Sequence, residues 1–164
     1  MCTTTVDTPI GALTVIAGPS GLRYVLFPEE TMPPGAVDDD RSAEGMAVAQ
    51  ATVTQLKEYF AGSRTDFDLP LDIPGSPFQQ KAWRALAMIP YGETISYADQ
   101  AERIGHPRAT RAVGSANGRN PVPIVLPCHR VVASGGGLGG YGGGLDLKQR
   151  LLDHERSPGS GWSA

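Results

Sequence analysis

Pro70, Pro74, Gly75 and Pro77 fall within eight positions, and this cluster limits the fold more than any other feature. Proline has no backbone N–H to give a helix or a sheet, and it pushes the residue before it toward extended backbone. The cluster reads as a linker, so the sequence divides into two lobes, 1–75 and 76–164. At 164 residues, the chain can bury a core without disulfides or a structural metal. No apolar run approaches the ~20 residues of a membrane helix. The start, Met1-Cys2-Thr3-Thr4, has neither the basic flank nor the apolar stretch of a signal peptide. We read a soluble, cytoplasmic chain with no membrane partner.

Charge differs sharply between the lobes. The net charge of the whole is −3, which taken alone argues against a nucleic-acid partner. The first lobe, however, is net −7 and the second net +4. From residue 103 to 145 the only charged side chains are Arg103, Arg108, Arg111, Arg119 and Arg130. Such asymmetry is a sign of a polyanion partner, although from charge alone a solvated basic face is the better reading. Cys2 and Cys128 are the only thiols, and with His106, His129 and His154 they form no spaced ligand set. We therefore expect no disulfide framework, no metal and no cofactor.

The first lobe begins as β. Residues 13–17 and 22–27 are rich in β-formers, and Gly18-Pro19-Ser20-Gly21 between them is turn chemistry, which predicts a hairpin. Residues 28–41 read as a polar loop. Met46, Ala49, Val53, Leu56 and Phe60 recur at steps of three and four, the face of a helix that starts near Ser42 and stops at Gly62. Residues 67–71 read as an edge strand, because Pro70 cannot donate to a ladder.

The second lobe reads as mainly helical. Ser76-Pro77-Phe78-Gln79 opens one helix with a cap and a first-turn proline. Ser96-x-x-Asp99 opens another, running to Gly105, and His106-Pro107 starts a third, to about residue 116. The last two make a helix-turn-helix. The third would align Arg108, Arg111 and Ser115, with Ala109, Ala112, Gly114 and Ala116 small enough for close approach to a partner. Residues 145–155 form a final helix and 156–164 a flexible tail. Eight of the ten residues 135–144 are glycine. They match a dinucleotide fingerprint only formally, since the remaining chain is too short for the second strand such a site needs. A loop that approaches a ligand closely is the better reading.

Cys128 is the thiol worth weighing. An inert buried cysteine is the ordinary case. Here Pro127 and the polar pair His129-Arg130 interrupt an apolar segment, and a basic neighbourhood favours the reactive thiolate. Adjacent strand residues point to opposite faces. His129 therefore reaches Cys128 only through a backbone turn or a bridging water.

Pro127-Cys128-His129-Arg130-Val131-Val132, preceded by Asn120-Pro121-Val122-Pro123-Ile124, resembles the active-site signature of the O6-alkylguanine-DNA alkyltransferases, the methylated-DNA–protein-cysteine methyltransferases. The resemblance spans residues 76–155 and includes Pro90-Tyr-Gly-Glu-Thr-Ile-Ser-Tyr97, Arg111-Ala-Val-Gly114 and Tyr141-Gly-Gly-Gly144; residues 8–13 look like the family's opening strand. It implies an α/β (α+β) fold. A small RNase H-like lobe, an antiparallel sheet with a helix, precedes a mainly helical, winged-helix-like lobe that carries the helix-turn-helix.

The resemblance further implies a monomeric DNA-repair protein that enters the minor groove of duplex DNA and takes the alkyl group of O6-alkylguanine, and less readily O4-alkylthymine, onto Cys128. Transfer is irreversible and single-turnover. By the same carry-over His129 removes the thiol proton through water, Glu155 orients His129, Tyr97 protonates the departing guanine and Asn120 braces the turn. Arg111 fills the gap left by the extruded base, Ala112 permits the groove approach, and His106 stands near a phosphate. Tyr97, Val131, Ser134 and Tyr141 line the base pocket, with the backbone N–H of Gly142. Some relatives carry a serine where this chain has Gly142, and others an N-terminal zinc site whose ligands are missing here. Two alternatives stand beside this reading. A lesion-binding relative without transfer replaces the nucleophile, which is intact here. A cysteine hydrolase would turn over.

Overall fold

The computed structural model describes residues 1–34, 36, 42–158 and 160–162. The expected polar loop lies partly outside these residues, at 35 and 37–41. The chain divides into two compact units, Met1–Pro74 and Gly75–Ala164. Gly75 belongs to the second, where a Cβ would press on the Trp83 ring at 2.3 Å.

In the first unit, β1 (Cys2–Thr8), β2 (Gly11–Gly18) and β3 (Gly21–Leu26) form an antiparallel sheet in the order β1-β2-β3. The expected hairpin is β2–β3. β1, whose threonines suit a pleated surface, extends the sheet by pairing Cys2 with Ala17 through to Thr8 with Gly11. α1 (Ala43–Phe60) starts at Ser42, whose hydroxyl accepts from Gly45 N at 3.1 Å. It packs on β1 and β2 through Ala49, Val53, Leu56 and Tyr59. Met46, expected on that face, is half-exposed, and Gly45 is buried there instead. Ile16 and Leu26 pack with Ala36, so β2 is buried continuously from Val15 to Gly18 rather than alternately. Residues 67–71 do not form the expected strand. Leu71 makes one bridge to Leu22, flanked by Leu22 N–H to Pro70 O (2.8 Å) and Asp72 N–H to Leu22 O (2.9 Å). Pro70 breaks the ladder at that point.

In the second unit α2 (Pro77–Leu86) and α3 (Tyr97–Arg103) each open with a reciprocal capping box, Ser76 with Gln79 and Ser96 with Asp99. β4 (Ile95–Ser96) pairs in parallel with β5 (Val131–Val132), and α5 (Leu145–Arg156) closes the unit. α4 (Thr110–Gly118) packs on α2 and α3. It starts four residues later than expected. Gly105, at φ 80°, ends α3, and His106 N–H to Ala101 O and Ala109 N–H to His106 O spend residues 105–109 on turns. Arg108 is therefore off the helix and shares no stripe with Arg111 and Ser115. The expected flexible tail is also partly folded, with 159, 163 and 164 outside the described residues. Ser160–Trp162 form a 3₁₀ turn, the Trp162 ring lies 4.9 Å from that of His154, and Arg150 Nε donates to Gly161 O at 3.0 Å. An aromatic residue in a Ser/Gly-rich segment supplies the apolar area that holds it. Among the described residues no helix is long and apolar enough to cross a membrane.

Candidate active site

The site is built on a tight chain reversal. Asn120 Nδ2 donates to Leu126 O at 2.8 Å, while its Oδ1 accepts from Val122 N at 3.0 Å. One amide thereby closes the Asn120-to-Leu126 loop from both ends. Ile124 within it has φ 74°, a conformation that β-branched residues rarely adopt. Leu126 O accepts from Cys128 N at 2.8 Å, and Cys128–Arg130 wind into a 3₁₀ turn. The strand alternation weighed from sequence thus does not apply at Cys128. The backbone turns there, and β5 begins only at Val131.

Cys128, His129 and Arg130 are all buried. His129 Nε2 lies 2.5 Å from Glu155 Oε2 on α5. Arg130 donates to the same carboxylate from Nε (2.7 Å) and Nη2 (3.2 Å), and from Nη1 to Ile89 O (2.7 Å). Gly92 N adds a longer bond to Glu155 Oε1 at 3.3 Å. Burial works to raise the Glu155 carboxyl, but hydrogen bonds and charge from His129 and Arg130 outweigh it and hold it well below the usual carboxylate range. Burial pushes His129 below the ordinary imidazole value against the pull of Glu155. A neutral His129 facing an ionised Glu155 carries its proton on Nε2. Nδ1, buried and without a partner among the described residues, keeps a free lone pair.

The Cys128 thiol departs from the sequence expectation. Burial raises it to about 11, and the Asn120 hydrogen bond and Lys148 charge only partly offset that rise. The basic neighbourhood does not favour the thiolate, because Arg130 spends its charge on Glu155 and His129 is neutral.

Tyr97, the first residue of α3, donates its hydroxyl to Gly140 O at 3.3 Å. Burial, the largest influence, keeps this phenol protonated. Lys148 on α5 has an ammonium group whose three N–H groups suit the Leu138 carbonyl, Val131 O (2.7 Å) and Gly140 O (3.0 Å), and it stands 3.4 Å from the Tyr97 hydroxyl. Burial lowers it to about 8, and the facing Cys128 pulls the other way. One lysine thus ties the glycine loop, β5 and α3 together. At Gly139 (φ 75°) a Cβ would meet Tyr97 Cε2 at 2.6 Å and its hydroxyl at 2.7 Å. We expect Gly139→Ala to strain the loop, displace the phenol and slow any Tyr97-dependent step at least about tenfold, or about 1.4 kcal/mol of barrier. Single-turnover kinetics measure it, and an unchanged rate would show that the loop yields.

A cavity of about 390 Å³ opens on Cys128. Of the candidate residues, Tyr97, Arg111, Tyr141 and Gly142 line it with Cys128. Asn120, which hydrogen-bonds the thiol, and His129 and Glu155 do not line it, and neither do four more candidates. Val131 is fully buried and offers its carbonyl to Lys148, and Ala112 and Ser134 are exposed. His106 is exposed and sets its ring edge-on to Phe78 at 5.7 Å. From sequence, Lys148 and Asn117 have no role, and Arg130 counts only as a basic neighbour of Cys128. Lys148 lies with Leu151, Leu152 and Glu155 on a buried helical stripe, and a charge on such a stripe is the signal that finds it. Among the described residues no three His, Cys, Asp or Glu side chains are grouped to hold a metal ion.

Residues 77–157 match the family described as 6-O-methylguanine DNA methyltransferase, DNA binding domain, and residues 1–73 match its ribonuclease-like domain. The chain is 51% identical to a methylated-DNA–protein-cysteine methyltransferase of Mycolicibacterium paratuberculosis, over 95% of this chain and 94% of that one. It is 47% identical to the protein of the same description from Mycobacterium bovis, over 93% and 91%. Its fold matches the crystal structure of Mycobacterium tuberculosis OGT in complex with DNA, with a TM-score of 0.84 at 46% identity, covering 94% of this chain and 92% of that one.

Proposed function

The chain belongs to the 6-O-methylguanine DNA methyltransferase family, and from that premise we propose how its own residues repair DNA by direct reversal. The observation that carries the reading is Cys128, a buried thiol that opens onto a cavity of 390 Å³ and stands beside an imidazole with one free lone pair. The substrate is duplex DNA with O6-alkylguanine, approached from the minor groove by one copy of the chain; O4-alkylthymine is a lesser substrate. The alkylated oxygen is stacked inside the duplex, so the base must leave the stack to enter the cavity. Thr110, Arg111, Gly114, Asn117 and Gly118 line the cavity at helical spacing, which gives α4 one face toward the base. Arg111, at the exposed end of that face, fills the gap the base leaves.

In the transfer, the Cys128 Sγ–alkyl carbon bond forms as the bond from that carbon to guanine O6 breaks. The thiol proton passes through a water to His129 Nδ1, and Tyr97 gives its hydroxyl proton to the leaving guanine. The His129 proton then restores Tyr97 through solvent. The products are guanine in DNA and an S-alkylcysteine. With the thiol raised to about 11, the resting form at pH 7 is the thiol, so its proton has to leave as the transfer proceeds. Positioning supplies most of the rate, since orientation alone is worth roughly 7–11 kcal/mol. Asn120 holds the turn, Lys148 holds Tyr97, and Glu155 with Arg130 holds His129.

Intact mass spectrometry after mixing with excess O6-methylguanine duplex tests the reading. One methyl per chain is expected, mapped to Cys128, and an unchanged mass overturns it. Arg111→Ala should slow transfer from the duplex at least about tenfold (about 1.4 kcal/mol) and affect attack on free O6-methylguanine base much less. Equal losses would remove Arg111 from the flipping step.

A further inference from the structure

The amides of Gln100 and Asn117 have no part in the transfer described above, yet Asn117 stands in the wall of the cavity that Cys128 opens onto. Both are buried, at 0% and 7% exposure. Their orientation is fixed by three hydrogen bonds. Gln100 Nε2 donates to Ala82 O at 3.0 Å, and a carbonyl only accepts, so that end of the Gln100 amide must be its NH₂. Its second N–H goes to Asn117 Oδ1 at 3.0 Å, and Asn117 Nδ2 donates in return to Gln100 Oε1 at 2.7 Å. Turning either amide over would set like against like. The chain from α2 through α3 to α4 therefore locks Asn117, and turning it away from Gln100 would strand buried polar groups. Gln100 has spent both its protons. Asn117 keeps one N–H and one lone pair, on a residue that lines the cavity.

We propose that Asn117, locked by Gln100, is a specificity-determining residue that selects the alkyl group by presenting a polar wall. This rests on the cavity being the lesion site. An apolar alkyl chain pressed on the amide strips it of water and returns no hydrogen bond, while a chain tipped with a hydroxyl supplies both a donor and an acceptor. Methyl groups and short polar-tipped adducts are accepted ahead of apolar adducts of equal length. A site with hydrogen-bonding groups discriminates more strongly against the partner that lacks them than an apolar pocket does against an added methylene.

The test compares 2-hydroxyethyl with n-propyl, two chains of nearly the same size. Single-turnover transfer is measured from duplexes bearing O6-(2-hydroxyethyl)guanine, O6-n-propylguanine and, as reference, O6-methylguanine. The proteins are the wild type and the double variant Gln100→Leu/Asn117→Leu. Dividing the hydroxyethyl-to-propyl rate ratio of one protein by that of the other cancels the intrinsic reactivity of the two substrates. The ratio should fall at least about tenfold in the double variant. An unchanged ratio in a variant that still accepts methyl overturns the assignment of Asn117 and leaves the transfer reading intact. A wild type that accepts no methyl overturns the transfer reading itself. Should the double variant not fold, Asn117→Ala carries the comparison: a several-fold fall in the ratio supports the proposal, and no fall overturns it.

Discussion

Replacing Cys128 by serine should abolish alkyl transfer altogether while leaving binding to lesion-bearing duplex near the wild-type level. The change is one atom in a residue that is 7% exposed, and the hydroxyl fits where the thiol stood. The nucleophile is what is lost. A hydroxyl is a far weaker nucleophile than sulfur toward an alkyl carbon, so the serine variant has no competent acceptor. The wild type, in turn, should stop after one event per chain. The product is a thioether, which a second thiol does not exchange as it would a disulfide. Two measurements decide both points: intact mass of each protein after incubation with excess methylated duplex, and a titration of repaired DNA against protein. A serine variant that still gains a methyl would move the acceptor elsewhere. Repair beyond one equivalent would point to a hydrolase, the reading that differs from transfer in turnover.

What the sequence made legible was local. The capping boxes at Ser76 and Ser96 follow from residues three apart, and both form. The Asn120 bracket spans only six residues. Misreadings began where the deciding partner was distant or absent from the pattern. A general preference for proline in the first turn predicts that α4 starts at His106-Pro107. Gly105 and the bond from His106 N to Ala101 O use those residues to reverse the chain instead. Sequence alone predicts a reactive Cys128 thiolate, because Arg130 counts there as a free basic neighbour. In space its guanidinium closes on Glu155, 25 positions away. Lys148 meets Tyr97 across 51 positions and Gln100 meets Asn117 across 17. Such pairings depend on how helices pack, and helix periodicity carries no information about which buried polar groups will meet.

Removing the charge of Glu155 should then have the second-largest effect, and on two observables at once. The carboxylate is 4% exposed and is the common partner of His129 and Arg130. In Glu155→Gln the Arg130 guanidinium stays buried with Ile89 O as its remaining strong acceptor. Breaking a buried pair in this way costs about 3–5 kcal/mol, so urea unfolding at pH 7 should show a loss of that size. The pH dependence separates this from a mere packing defect. A carboxyl held below its unfolded value of about 4.3 contributes stability that is complete above that pH and lost as pH falls through the folded value. The gap between wild type and variant should therefore be full at neutrality and narrow below about pH 4. His129, lowered by burial, adds a second acid slope to the wild type. Its unfolded form takes up a proton near pH 6.5 before the folded form does, so stability declines as pH drops below about 6.5. The rate of transfer should follow the same imidazole: flat through neutrality and falling only well below about pH 6.5, once the lowered folded His129 takes a proton on Nδ1 and ceases to be a base. Glu155→Gln no longer supports the imidazolium that forms when the thiol proton arrives, and its rate should fall about 10²-fold even at temperatures where the variant is fully folded. A variant that loses stability but keeps its rate would leave Glu155 a scaffold for Arg130 and remove it from the proton path. A stability gap that stays constant from pH 7 to 3 would mean that the charge on this carboxylate is not what holds the site together.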